Sequence, residues 1–129
     1  MSLLGLLLFQ TIAVSRLKPC PSTPNCVSSR AADDAHRVAP FPFSGSAAES
    51  LAMVKATALS FPRTQLVEEA GGYVHLTFTS AVFRFVDDVE LEADEAAKVV
   101  NVRSASRVGR SDFGVNRRRV EAIRKRLGG

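Results

Sequence analysis

The spacing of apolar positions changes along the chain, and each spacing predicts a different element. Between residues 47 and 60 apolar side chains recur every three or four residues, which predicts an amphipathic helix. Ser46 and Glu49 match the capping box that begins such a helix, and Pro62 ends it. The inward positions are Leu51, Val54, Ala58 and Phe61.

From residue 63 onward apolar and polar positions alternate, which is the period of a strand with one buried face. The alternation predicts four strands, at residues 65–69, 73–80, 82–92 and 98–107. Gly71 and Gly72 suit a tight hairpin turn between the first two. Because short turns join all four strands, we expect antiparallel pairing, since parallel strands would need long crossovers.

A second amphipathic helix is predicted from about residue 113 to the end of the chain. Its predicted inward stripe is Phe113, Val120, Ile123 and Leu127, and its outward face is Arg118, Arg119, Lys125 and Arg126. Pro40 and Pro42 indicate an extended edge segment before the first helix. The predicted fold class is α+β, a two-layer sandwich in which two helices cover one face of a four- to five-stranded antiparallel meander.

The N-terminal residues 3–14 are almost wholly apolar. Twelve helical residues cover only about 18 Å, whereas the hydrocarbon core of a bilayer is about 30 Å thick. The run suits a secretion signal or a membrane-dipping anchor, although its basic flank and cleavage site match a signal peptide poorly. An ordinary buried helix is the alternative. We therefore predict an apolar leader at residues 1–19 and a single α+β domain at residues 20–129.

Composition and charge narrow the possible partners. With 129 residues, 46% hydrophobic and 23% charged, the chain suits one globular domain. Residues 98–129 hold ten of the seventeen Lys and Arg but only two acids. Such a segment can meet phosphate, nucleic acid or anionic lipid, or it can answer acidic strands of its own domain. Nucleic acid is not expected, because the chain has no Trp and one Tyr for base stacking.

The two cysteines, Cys20 and Cys26, lie in a proline-rich stretch. In an oxidising compartment we expect them to form a disulfide, which contributes about 2 kcal/mol for so short a loop. Two free thiols in a cytosolic protein are the alternative. A zinc site would have only His36 and His75 to complete its ligands, so no metal and no cofactor is predicted.

Asp87 falls among apolar residues on the face of the third strand that should be buried. An ionised carboxylate there needs a cationic partner. We expect a structural charge pair between Asp87 and Arg103 or Arg107 of the next strand. The last helix offers Arg117 and Arg119 as other partners. A catalytic acid with a raised pKa is the alternative, and no catalytic residue is assigned.

The turn between the fourth strand and the last helix is dense in Ser, Arg, Gly and Asp. Free amides at a helix start, with arginines nearby, are the elements of an anion site. The predicted anion-binding residues are Arg103, Arg107, Arg110 and Ser111. The alternative is structural, because Ser111 or Asp112 can cap the helix and compete with a bound anion.

Three segments of the chain, taken together, resemble the family of domains of unknown function numbered 1499. They are CPSTPNCVSS, RFVDDVEL and VRSASRVGRSDFGVNRRRVEAIR. The resemblance runs from about Cys20 to Leu127. It implies a small single-domain protein of bacteria or photosynthetic eukaryotes, in an extracytoplasmic (periplasmic) or organellar (thylakoid) setting and often with an export or membrane segment. It implies no activity and no catalytic residue.

These observations favour a non-enzymatic accessory or ligand-binding domain at a membrane surface or in an extracytoplasmic or organellar space. Its expected partner is an anionic ligand or a membrane protein complex, neither of which the residues identify. The alternative is a small enzyme that acts on an anionic phosphate or ester substrate and uses Asp87 and the arginines. The apolar leader, the paired cysteines and the lack of a reaction motif favour the first function.

Overall fold

An antiparallel sheet with two helices packed on one of its faces forms the fold in the computed structural model, which describes residues 14–128. The elements in chain order are β1 (Cys26–Ser28), β2 (Phe41–Pro42), α1 (Ala47–Leu59), β3 (Thr64–Ala70), β4 (Tyr73–Thr79), β5 (Val86–Asp94), β6 (Val99–Ser106) and α2 (Val115–Gly128). The strand order is β1-β6-β5-β4-β3, and β2 also pairs with β6. The predicted α+β fold is confirmed, and two short strands extend the meander at its β6 edge.

The first helix begins and ends as the sequence predicts. The Ser46 hydroxyl accepts a hydrogen bond from the amide of Glu49 at 3.1 Å, and the Glu49 carboxylate accepts one from the amide of Ser46 at 2.9 Å. This reciprocal capping box satisfies two amides that the first turn leaves without partners. Leu51, Val54 and Ala58 are buried against the sheet, which confirms the predicted apolar face of α1.

Alternation along the strands separates a core face from an open face. Gly71 and Gly72 have φ angles of 54° and 84°, which a tight two-residue turn between paired strands requires. On the core face the largest fully buried apolar side chains of the described residues include Phe41, Leu76, Leu91 and Ile123. Because side chains of a strand point alternately to the two faces, their neighbours lie on the face without helices.

The third predicted strand begins later than expected. Residues 82–85 were predicted as its start, but β5 begins at Val86, and Val82, Phe83 and Phe85 are exposed. The amide of Ser80 donates to the carbonyl of Phe85 at 2.9 Å, which closes a loop before the strand. Arg84 has a φ of 57°, so the extended backbone of a strand cannot include it.

The last helix also begins later than predicted, at Val115. Phe113, predicted to face inward, precedes the helix with a φ of 53° and is 86% exposed. Val120 and Ile123 are fully buried as predicted. Arg119 was predicted to face outward but lies inward, where its guanidinium sits 4.8 Å from the centre of the Phe78 ring.

The partner of Asp87 is Arg119, one of the two helix arginines named as other partners, so the expected pairing with Arg103 or Arg107 is wrong. Asp87 is buried on the core face as expected, and its carboxylate lies 2.8 Å from the Arg119 guanidinium. Asp87 pairs with Ser106 in the β5–β6 ladder. Residues paired directly across the ladder share a face, so Ser106 lies on the core face with Asp87. Arg103 and Arg107 are three residues and one residue from Ser106, so the alternation of side chains points both to the open face.

We predict that Asp87→Ala lowers the free energy of unfolding by about 3 kcal/mol or more, because it leaves the buried Arg119 cation unpaired. Glu95→Ala, at an exposed position in the turn after β5, is the matched control and should change stability by less than about 0.5 kcal/mol. Chemical denaturation measures both. Equal effects from the two substitutions would contradict the assignment of a buried pair.

Candidate functional site

Titratable side chains of three neighbouring strands meet on the open face of the sheet. The register pairs His75 with Glu90 and Glu90 with Arg103, so these side chains lie side by side. We call the following set the open-face cluster: Tyr73, His75, Asp88, Glu90, Arg103 and Arg107. Together with Arg16, Lys18 and Glu68 they line a cavity of about 560 Å³.

Glu90 lies at the centre of the open-face cluster and is 7% exposed. The Tyr73 hydroxyl donates to its carboxylate at 2.5 Å, and the Arg103 guanidinium donates at 3.3 Å. Burial, together with the Glu90 carboxylate, raises the pKa of Tyr73 above its ordinary value. Tyr73 therefore keeps its proton at physiological pH and acts as a hydrogen-bond donor.

A second group in the cluster is formed by Asp88, His75 and Arg107. The Asp88 carboxylate lies 2.7 Å from Nε2 of His75 and accepts two hydrogen bonds from Arg107, at 2.8 and 2.9 Å. The Arg107 guanidinium, helped by His75 and opposed by burial, holds the pKa of Asp88 below its ordinary value. Because an ionised carboxylate only accepts, Nε2 of His75 carries a hydrogen.

Arg103 is largely buried, yet its hydrogen-bonding capacity is only partly used. Its side chain is 13% exposed, and its bonds to Glu90 and to the carbonyl of Pro19 are long, at 3.3 and 3.5 Å. Within residues 14–128 its buried Nε has no acceptor. A guanidinium carries five N–H donors, so Arg103 can bind an acceptor that enters the cavity.

The cavity is bounded on one side by residues 15–20, which we call the N-terminal strap. Leu17 of the strap is buried, and the Ser15 hydroxyl donates to Glu92 at 2.7 Å. The Arg16 guanidinium lies 3.9 Å from the centre of the Tyr73 ring. These contacts hold residues 15–19 against the sheet, although these residues were predicted to belong to the leader.

A disulfide fixes the C-terminal end of the strap. Cys20 and Cys26 are bonded, with their Cα atoms 5.6 Å apart, which confirms the predicted pairing. Cys26 begins β1 and is buried. The bond therefore ties the strap to the sheet beside Arg103, and it is compatible with an oxidising space outside the cytoplasm.

The structure does not bring the four predicted anion-binding residues together. Arg103 and Arg107 lie on the open face, whereas Arg110 is exposed in the loop after β6. The hydroxyl of Ser111 accepts a hydrogen bond from the amide of Phe113 at 3.3 Å. Within the described residues, the cations of the predicted site are thus divided between two surfaces.

Asp112 occupies the helix start that was expected to receive an anion. Its carboxylate accepts from the amide of Gly114 at 2.7 Å and from the amide of Asn116 at 3.1 Å. A carboxylate in this position supplies the negative charge that a helix N-terminus favours. The structural interpretation of the turn is therefore the one that the geometry supports.

Asn116 is a fully buried hub that sequence patterns did not reveal. Its carbonyl accepts from Ser104 at 2.6 Å and from Arg119 at 2.8 Å, while its amide donates to Asp112 at 2.8 Å and to Ser106 at 2.9 Å. A buried amide with every hydrogen-bonding group used specifies one arrangement of sheet, turn and helix. Its role is structural.

The open-face cluster was not predicted as a site, although its residues follow the two-residue spacing of strands in the sequence. Titratable side chains occur two residues apart on β4 (Tyr73, His75) and on β5 (Asp88, Glu90), and Arg103 follows on β6. The signal was this alternation on three successive strands. His75 alone suggested only an exposed histidine, because the register that brings the strands together is not visible in the sequence.

A larger groove, of about 640 Å³, lies between the start of α1 and the Gly71–Gly72 turn. The ionisable side chains in its lining are Glu69, Tyr73 and Glu95, so it offers no cation to an anionic ligand. The open-face cavity is therefore the better candidate for a polar ligand.

Within residues 14–128 no group of three His, Cys, Asp or Glu is arranged to hold a metal ion. Both ring nitrogens of His36 contact internal partners, Asp33 and the carbonyl of Thr23. No helix in the same part of the chain has the length and apolar character to cross a membrane. Most of the predicted leader, residues 1–13, lies outside the described residues.

The fold and the open-face site define a small α+β domain with one disulfide. The family described as "Protein of unknown function (DUF1499)" matches residues 16–127, so the chain belongs to this family. The resemblance carried by the three sequence segments is thereby confirmed. A search of curated proteins found no match.

We predict that the lowered pKa of Asp88 makes stability depend on pH. The ionised carboxylate stabilises the fold above its ordinary pKa of about 4, and this contribution is lost as the pH falls through the lower pKa of the folded state. Asp88→Asn should therefore cost about 1–3 kcal/mol at pH 7 and progressively less as the pH falls from about 4 towards 2.

Denaturation of wild type and Asp88→Asn across this range measures the difference, with exposed Glu95→Gln as the control. An equal cost of Asp88→Asn at both pH values would show that the charge of Asp88 contributes nothing.

Proposed function

We propose that this protein is a non-enzymatic ligand-binding domain that takes a small anionic ligand into the cavity above its open-face cluster. The observation that carries this proposal is that Arg103 is largely buried and has unused hydrogen-bond donors. Its guanidinium is largely buried at the cavity wall, makes two long hydrogen bonds, and has an Nε without an acceptor among the described residues. A carboxylate or phosphate oxygen in the cavity would complete the hydrogen bonding of the terminal guanidinium nitrogens, since such oxygens pair with guanidinium groups in a two-pronged geometry.

The balance of charge around the cavity favours an anion. Salt bridges pair Arg16 with Glu68, Arg103 with Glu90 and Arg107 with Asp88. Lys18 also lines the cavity and has no acidic partner within residues 14–128. The three ion pairs cancel, so Lys18 leaves the lining with a net charge of one positive unit. This charge suits a ligand with one or two negative charges.

The size of the cavity limits the ligand. A volume of about 560 Å³ lies within the range of about 300–1,000 Å³ for small-molecule sites. A metabolite-sized carboxylate or phosphate monoester fits this volume, whereas a polymer would have to leave most of its length outside. Tyr73 and His75 add polar groups that can orient such a ligand.

Two further features support a place outside the cytoplasm. The Cys20–Cys26 disulfide is stable in an oxidising space and is rare in the cytosol. The apolar residues 3–14 favour attachment to a membrane or export through one. On this proposal the domain holds its ligand at a membrane surface or in an extracytoplasmic or organellar space.

The pair formed by His75 and Asp88 favours a second candidate, a small hydrolase for an anionic phosphate or ester. In a neutral imidazole that donates to Asp88 through Nε2, Nδ1 is the proton-accepting nitrogen, which is the arrangement of a general base. The described lining holds no Ser, Thr or Cys, so the nucleophile in this candidate would be water. Asp87 has no part in it, because it is paired with Arg119 on the core face.

We predict that one member of a set of small carboxylates and phosphate esters binds the full chain, and that Arg103→Gln weakens the binding at least tenfold through loss of charged hydrogen bonds. Lys18→Gln should weaken it less, because Lys18 is exposed and supplies charge alone. Isothermal titration calorimetry measures the affinity, and thermal denaturation confirms that each variant is folded.

Arg110→Gln removes an exposed arginine outside the cavity and serves as the matched control, which should bind like the wild type. The proposal fails if Arg110→Gln and Arg103→Gln weaken binding equally, or if no member of the set binds. A ligand that is hydrolysed by the wild type and only bound by His75→Ala would establish the second candidate instead.

A further inference from the structure

Exposed apolar side chains are concentrated at one end of the sheet. They belong to the loop between β4 and β5 and to the loop between β6 and α2. We call this surface the apolar tip, formed by Val82, Phe83, Phe85, Val108 and Phe113. The most exposed are Phe113 at 86%, Val82 at 81% and Phe83 at 74%. Nothing in the core or in the open-face site uses these side chains.

The two loops leave the sheet side by side. The amide of Arg107 donates to the carbonyl of Val86 at 3.2 Å, so the ladder between β5 and β6 continues to the base of both loops. The rings of Phe83 and Phe85 stack with their centres 5.5 Å apart. The apolar tip therefore lies at the end of the β5–β6 ladder and includes a stacked aromatic pair.

Two residues of the apolar tip loops have left-handed backbone conformations. Arg84 and Phe113 have φ angles of 57° and 53°, in the left-handed region that Gly, Asn and Asp occupy most readily. A phenylalanine at such a position gains little from folding when it is 86% exposed.

The charges around the tip select the partner. Residues 80–85 and 107–114 carry three arginines, Arg84, Arg107 and Arg110, and a single acid, Asp112. The carboxylate of Asp112 is already used by the amides of Gly114 and Asn116, and Arg107 is paired with Asp88. Arg84 and Arg110 therefore form no ion pair within residues 14–128, and they lie in the same two loops as the exposed phenylalanines.

The geometry points to an anionic phospholipid surface as the partner of the apolar tip, with the phenylalanines inserted at the interface and Arg84 and Arg110 bound to lipid phosphates. Aromatic and aliphatic side chains beside cations are the composition of surfaces that lie at an anionic bilayer. This site is separate from residues 14–19, the described part of the predicted leader. Ser15 contacts Glu92 near the far end of β5, whereas the tip lies beyond Val86.

A single tryptophan can report on the tip, because the chain has no Trp. We expect the full-length variant Phe83→Trp to show blue-shifted emission, quenched by brominated lipid, with vesicles that contain phosphatidylserine or phosphatidylglycerol. Pure phosphatidylcholine vesicles should give a much smaller shift. Adding Arg84→Gln and Arg110→Gln should lower partition into anionic vesicles by roughly tenfold or more, and added salt should weaken it.

The control is Val67→Trp, an exposed position in the bulge of β3 away from the tip. Any insertion through the leader is common to both reporters, so only a shift specific to Phe83→Trp supports the tip. An unchanged emission of Phe83→Trp with anionic vesicles, or equal shifts in the two reporters, overturns the proposal. A dimer that forms without lipid and is lost in Phe83→Ser would overturn it in favour of a second copy of the chain.

Discussion

The structure depends on the burial of one carboxylate on each face of β5. Asp87 is buried on the core face and Glu90 on the open face, and each requires a cationic partner. Because an unpaired buried charge costs several kcal/mol, Arg119 places α2 against one face. On the open face, Glu90 binds Arg103 of β6 and the Tyr73 hydroxyl of β4, which fixes both neighbouring strands beside it. The docking of the helix and the assembly of the open-face cluster are therefore linked through a single strand.

The basic C-terminal quarter is largely used inside the domain. Arg117 donates to the carbonyls of Ala35 and Arg37, and Arg124 donates to those of Ala39 and Pro40. These contacts hold the segment between β1 and α1 against α2. Exposed cations without an acidic partner remain within residues 14–128, among them Lys18 at the open-face cavity and Arg84 and Arg110 in the loops of the apolar tip.

The sequence predicted the elements whose signals are local, which are the capping box of α1, the glycine turn and the alternation of the strands. It misplaced the start of β5, because Val82, Phe83 and Phe85 have strand preferences that the loop closed by Ser80 overrides. The partner of Asp87 and the open-face cluster depend on the β5–β6 register, which only the folded sheet determines. The arginine-rich turn suggested an anion site, but Asp112 fills the helix start.

The hydrogen-bonding capacity that Arg103 keeps is, we propose, used by a ligand within the cavity. Nuclear magnetic resonance of arginine Nε–H groups observes this directly, because a guanidinium that gains a carboxylate or phosphate partner shifts its Nε–H signal. During a titration with small anions we expect the Arg103 signal to move first and furthest, while that of exposed Arg110 moves only at high concentration. A titration in which Arg103 stays unchanged while exposed arginines respond would contradict the account.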